Sequence, residues 1–206
     1  MNVFNNIFNS PVLGAIGIGV FGQSVSVDQC SFFSNAFSDF NSGTGIYIQS
    51  SGGTITSASV SSNSFSGLTN GSDGILFNTT LGGTITSATV SGNVINGISS
   101  NSKGLNALLN TSSSIFLGVT DNSFIGDGGI ANGFAATIDL SGTGTLCLDF
   151  RGNNATPVIP VPPPYAYVFT RTGGTFNRTA GSGPNSTSGQ FFIGPGVNTS
   201  TPATCP

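Results

Sequence analysis

Residues 52–65 read GGTITSASVSSNSF and residues 82–95 read GGTITSATVSGNVI. The two segments lie thirty residues apart, and neither holds a residue that does chemistry on its own. Self-similarity at this period is the signature of chains that stack one repeat on the next. The phrase V-x-x-N-x-F extends the repeat along the chain. It occurs at Val3-Asn6-Phe8, Val60-Asn63-Phe65 and Val119-Asn122-Phe124, with Val90-Asn93-Ile95 a close copy. Val27-Cys30-Phe32 puts Cys at the Asn position, and Phe150-Asn153-Ala155 is the last, weaker copy. The steps between first residues are 24, 33, 30, 29 and 31.

Two further phrases travel with the first. One is a Gly followed by alternating apolar residues: Gly17-Ile18-Val20, Gly45-Ile46-Ile48, Gly74-Ile75-Phe77, Gly104-Leu105-Ala107 and Gly133-Phe134-Ala136. Gly follows the leading Val by fourteen residues in four copies and by eighteen at Gly45, which reads as an insertion around residues 34–44. The other is an apolar pair ahead of the leading Val, as in Ala58-Val60, Ala88-Val90 and Leu117-Val119. All three phrases alternate with period two, so each reads as a short strand with one face inward, and no stretch carries a helical period. Three short strands per thirty residues predict an all-β fold, a right-handed parallel β-helix of about five rungs stacked at roughly 4.8 Å. Asn6, Asn63, Asn93, Asn122 and Asn153 are expected either to take left-handed corners or to bond to one another as a ladder.

The pattern stops near Ala155, where TPVIPVPPPYAYVF begins, with five Pro between positions 157 and 164. Pro cannot donate to a central ladder. Residues 1–155 are therefore read as β-helix repeats and residues 156–206 as a Pro/Gly-rich C-terminal cap. The third residue already belongs to a rung, so the chain is expected to be a piece of a longer solenoid.

Composition narrows the function. Charged residues are 5 % of the chain, with no His, Glu or Trp, whereas hydrophobic residues are 37 %, too many for a disordered tract. Four basic residues, Lys103, Arg151, Arg171 and Arg178, cannot neutralise a phosphate track, which argues against nucleic acid as a partner. No apolar run is long enough to span a membrane as a helix. The acids are Asp28, Asp39, Asp73, Asp121, Asp127, Asp139 and Asp149; they do not stack into one cluster, which argues against a lyase or hydrolase site and against any cofactor or metal. GDGGIANG at 126–133 resembles a Gly/Asp Ca²⁺ repeat but occurs once, and reads as a turn. T-x-T in GGTITS hints at ice binding, yet parity places Thr54 and Thr56 on the face of inward Ala58.

Two features remain. The insertion carries Phe37 and Phe40, which makes it the better binding candidate, since loops on rigid scaffolds commonly carry recognition; the other reading is that the two rings cover an apolar flank. Alternation within TLCLDF points Cys147 outward, where it can meet Cys205 if the tail lies along the rod. That disulfide would close a loop of about 58 residues and contribute roughly 4 kcal/mol; the alternative is two free thiols in a reducing compartment. Cys30 reads as a small buried hydrophobe.

The repeat, followed by LCLDFRGNNATP, YVF, GGTFNRTA and PATCP, resembles β-helix repeat surface proteins of chlamydia-related and Legionella-like bacteria. The resemblance implies secretion and display on a surface or in a fibre, and no known reaction. The expectation is a non-enzymatic extracellular structural or adhesin-type domain. Its partner is another copy stacked head to tail, or a host glycan or surface protein. The alternatives are a fragment of a glycan-processing enzyme and an ice-binding solenoid.

Overall fold

The structure is a computed structural model, and it describes residues 1–99, 101–110, 112, 114–126, 133–156, 165–179 and 190–200. Among these residues there is no helix, only short strands in a repeating order of three. The first turn is β1 (Asn2–Phe4), β2 (Ile7–Asn9) and β3 (Ile16–Gln23); the second is β4 (Ser26–Phe33), β5 (Ala36–Ser38) and β6 (Thr44–Ser51). The third is β7 (Thr54–Ser61), β8 (Ser64–Ser66) and β9 (Asp73–Thr80), and the fourth β10 (Thr84–Ser91), β11 (Val94–Ile98) and β12 (Lys103–Leu109). The fifth is β13 (Ser114–Thr120), β14 (Ser123–Gly126) and β15 (Phe134–Leu140). The order continues with β16 (Thr145–Arg151), β17 (Asn154–Thr156), β18 (Tyr165–Arg171), β19 (Thr175–Thr179), β20 (Gln190–Ile193) and β21 (Val197–Ser200).

Each strand pairs in parallel with its counterpart one turn on, which gives three sheets: β1-β4-β7-β10-β13-β16-β19-β21, β2-β5-β8-β11-β14-β17 and β3-β6-β9-β12-β15-β18-β20. The chain is a parallel β-solenoid. Among the described residues the sheet that starts at β2 ends at β17. The other two sheets run past it, with β18 on β15 and β19 on β16. The Pro-rich stretch 157–164 lies outside the described residues.

Register is set by what must be inside. Val3 pairs with Phe32, Phe32 with Val60, Val60 with Val90, Val90 with Val119 and Val119 with Phe150. The second member of this column is thus Phe32, not Val27 as the sequence phrase implied. The steps become 29, 28, 30, 29 and 31, and Gly45 falls thirteen residues after Phe32, so there is no insertion. A second column stacks Phe8, Phe37, Phe65, Ile95, Phe124 and Ala155. The rings of Phe8 and Phe37 lie 5.0 Å apart and those of Phe37 and Phe65 4.7 Å apart, stacked with nearly parallel planes. A third column, Ile18, Ile46, Ile75, Leu105, Ala136 and Tyr167, closes the interior.

The Gly phrase has a steric reason. Gly17, Gly45, Gly74 and Gly104 have ordinary negative-φ backbone, but each packs its Cα against the backbone of the next turn. A Cβ on Gly17 would sit 2.7 Å from Gly45 O, on Gly45 2.8 Å from Gly74 O, and on Gly74 2.7 Å from Gly104 O. No side chain fits at that separation.

Candidate functional site

The structure places the predicted Asn residues in one file, and adds a member. Asn6, Asn35, Asn63, Asn93, Asn122 and Asn153 stack turn upon turn, with Asn35 where Cys30 was expected. Each side-chain amide donates to the Oδ1 of the next: Asn6 to Asn35 at 3.2 Å, Asn35 to Asn63 and Asn63 to Asn93 at 3.0 Å, Asn93 to Asn122 at 2.9 Å, Asn122 to Asn153 at 2.8 Å. The same Oδ1 accepts the backbone N–H of the previous Asn, as Asn93 Oδ1 does from Asn63 at 2.9 Å. Nδ2 also bonds a carbonyl two residues back, as Asn93 does to Ser91 O, and one in the preceding turn, Val60 O. Asn35, Asn63, Asn93, Asn122 and Asn153 are buried, so these bonds replace water for groups that would otherwise be stranded.

Of the two roles open to these Asn, the ladder is the one taken. The left-handed corner falls on the residue before each: Asn5, Ser34, Ser62, Gly92, Asp121 and Gly152 all have φ between 55° and 67°. Small or hydrogen-bonding residues tolerate that seat best.

Phe37 and Phe40 require a correction. Phe37 is 2 % exposed and Phe40 fully buried, their rings 6.3 Å apart inside the rod. Phe37 lies in β5 and Phe40 in the connection that follows it, but both rings turn inward and present nothing to a ligand. The misaligned second rung produced the apparent insertion that carried them.

Cys30 faces inward opposite Ala58 and is a free thiol, fully buried, its pKa pushed up to about 11 by burial, with the N-terminal ammonium acting weakly the other way. Cys147 alternates with inward Leu146 and Leu148 yet is also fully buried, since β16 is covered on both faces from Leu146 to Phe150. Cys205 lies outside the described residues, and so does most of the GDGGIANG turn.

The outer face of the β1 sheet is paved with hydroxyls. Thr54 and Thr84 stack with Oγ1 atoms 3.2 Å apart, and Ser57, Ser59 and Ser61 align with Ser87, Thr89 and Ser91. Thr54 and Thr56 belong to this outer face, contrary to the parity argument. The ladder skips Thr56 and Thr86, so Thr56 and Ser57 both lie outward between inward Ile55 and Ala58. This bulge repeats in β10.

In β13 the bulge is gone. A single residue, Phe116, separates inward Ile115 from Leu117, and it aligns with Ser87. Where the strand loses one residue, the outer face drops into a notch of about 480 Å³ lined by Thr86, Ser87, Ser114 and Phe116. Gly118 leaves room for the ring, because a Cβ there would lie 3.3 Å from Phe116 Cε1. Sequence reasoning missed this site; its signal was the shortening from TITSATV to SIFLGV, with a lone aromatic in a hydroxyl row.

The outer face of the β3 sheet carries Asp73. Its Oδ2 accepts from Asn106 Nδ2 at 3.1 Å, and Thr137 donates to Asn106 Oδ1 at 2.8 Å. Asp73 Oδ1 is buried without a hydrogen-bond partner. Burial raises its pKa, opposed by the Asn106 bond and the Lys103 charge on the adjacent strand. Asp149 instead pairs with Arg151 at 2.5 Å. Among the described residues no three His, Cys, Asp or Glu side chains gather as a metal site, and no helix is long and apolar enough to cross a membrane.

At one end of the rod all three sheets terminate together, on β1, β2 and β3. Val3 and Phe8 are only half-buried there, although their column partners Phe32 and Phe37 are fully covered, and Asn6 is exposed. Comparison with family models, with curated proteins and with solved structures returns no match.

Proposed function

We propose that this chain is a non-enzymatic, extracellular scaffold module of a bacterial surface, a stalk, fibre unit or adhesin, whose first rung docks a further β-rung, in the simplest case one from another copy. The observation that supports this most is the stack itself, in which three parallel sheets and one file of Asn amides join turn to turn. Each turn offers the next three parallel strand edges and one Asn Oδ1 that accepts two bonds, so one rung is the template on which another docks. Exposed parallel edges of this kind recruit partners. The surface offers little like-charge repulsion, with four basic and seven acidic residues in the chain. Docking of a first rung on the far end of another copy is heterologous and produces an open filament. The resemblance to surface-displayed β-helix repeat proteins supports the compartment and the scaffold role.

Sedimentation velocity across a concentration series, with negative-stain microscopy, tests the reading. Assembly should grow with concentration into unbranched rods and be lost in a Val3→Lys, Phe8→Lys double variant, which charges the open end alone. A monomer at every concentration, or rods that survive the double substitution, would contradict docking through this end.

A further inference from the structure

We infer that the notch between β10 and β13, lined by Thr86, Ser87, Ser114 and Phe116, is a subsite for a neutral saccharide. The inference rests on the adhesin side of the reading above and names its ligand class and its residues.

The notch arises from the loss of one residue. The bulge runs through β4, β7 and β10 and holds two outward residues per turn, Asp28-Gln29, Thr56-Ser57 and Thr86-Ser87, so that a hydroxyl ridge two turns wide lies between exposed Asp28 and β13. β13 has no bulge, so the ridge ends as a step. At its foot stands Phe116, half-buried, with exposed Ser114 two residues before it and Thr86 exposed above it. A phenyl ring in this row is out of keeping with its column, in which Ser57 and Ser87 precede it. It is not core, because the interior is already filled by Ile115 and Leu117 on either side. Gly118, in line with Thr89, gives the ring space along the strand and places no side chain over it.

An apolar ring flanked by hydroxyls on a step is the chemistry that receives a sugar ring: its C–H face packs on the aromatic face, and its hydroxyls exchange hydrogen bonds with Ser and Thr, which both donate and accept. The charge pattern selects a neutral sugar. None of the four lining residues ionises, and the nearest charges on the next strand, Asp149 and Arg151, are spent on each other at 2.5 Å. A volume of about 480 Å³ suits a short stretch of chain rather than a long one. The ridge of Thr54, Thr84, Ser57 and Ser87 continues the hydroxyl surface away from the notch for a polymer that extends beyond it.

The test is a titration of the whole ¹⁵N-labelled chain with two neutral probes, cellohexaose and chitohexaose, and one acidic probe, hexagalacturonate, at millimolar concentration. A neutral probe should shift the amides of residues 86–87 and 114–118 saturably. Phe116→Ala should weaken that binding about tenfold. Phe116→Tyr should retain it, and Ser114→Ala, on an exposed position, should weaken it without disturbing the fold. The inference is overturned if neither neutral probe shifts these amides, if Phe116→Ala leaves affinity unchanged, or if only the acidic probe binds. Shifts confined to another face would overturn it too, while leaving the adhesin reading standing; filament growth is read separately and bears on docking alone.

Discussion

A single Asn per turn carries much of the specificity of this fold. Each buried Asn accepts two bonds from the turn before and donates to the turn after, so removing one strands groups on both sides. Asn93→Ala should cost about 2–4 kcal/mol, because the Asn63 backbone N–H and side-chain amide lose their acceptor in a dry interior. Asn6→Ala, at the exposed end, should cost less than about 0.5 kcal/mol. Urea denaturation of the two variants checks the contrast. The Asn at 6, 63, 93, 122 and 153 were legible in the sequence because a lone Asn recurs between apolar positions. Asn35 was not, because VDQCSFF mimics the phrase from Val27 while the true copy, FFSNAF, begins with Phe. Burial decides between them: the true register puts Phe32 and Phe37 in the core columns, where the false one made residues 34–44 a loop.

Among the strands, alternation was legible and its interruption was not. Period two places Ala58 and Val60 inward correctly, but the bulge at Thr56 reverses the parity upstream, and nothing in a string of Ser and Thr marks which residue is extra. The Gly that opens the third sheet was legible as a landmark, while its reason, a backbone contact with the next turn, belongs to the stacking. Gly74→Ala should therefore destabilise by about 1–3 kcal/mol although its φ is unstrained, since the new methyl meets Gly104 O at 2.7 Å. Thermal unfolding measures this.

On β9 the sign of a pH effect follows from Asp73. Its pKa is raised in the folded state by burial. Below the ordinary carboxyl range both states are protonated and the fold carries no penalty. As pH rises the unfolded chain ionises first, and stability falls until the folded carboxyl ionises too. Asp73→Asn keeps an acceptor for Asn106 and removes the charge. Its melting temperature should exceed that of the wild type at pH 7, with the gap closing at pH 3.

Across the whole molecule the repeat period and parallel stacking were legible because each turn is the template for the next. Where the three sheets end was not, because β18 and β19 lie beyond the Pro-rich stretch and carry no V-x-x-N-x-F phrase. The proposed extracellular compartment carries a chemical prediction. Peptide mapping of oxidised protein should recover Cys147 linked to Cys205 and leave one alkylatable thiol, Cys30, which reacts only on unfolding because its thiol is buried. Three alkylatable thiols after careful oxidation would count against both the bridge and the compartment. If turns contribute through nearest-neighbour contacts, a break at Asn93 should also loosen amide protection in the adjacent turns before distant ones.

The register of the second turn is the point on which the columns, the ladder and the burial of Phe37 and Phe40 all depend. An ¹⁵N-edited NOESY spectrum measures it directly. The account predicts contacts from the Asn35 side-chain amide to Asn6 and Asn63, together with Phe32 to Val3 and Val60. Contacts from Cys30 to Asn63 and from Val27 to Val60, or an antiparallel pattern between these segments, would contradict it.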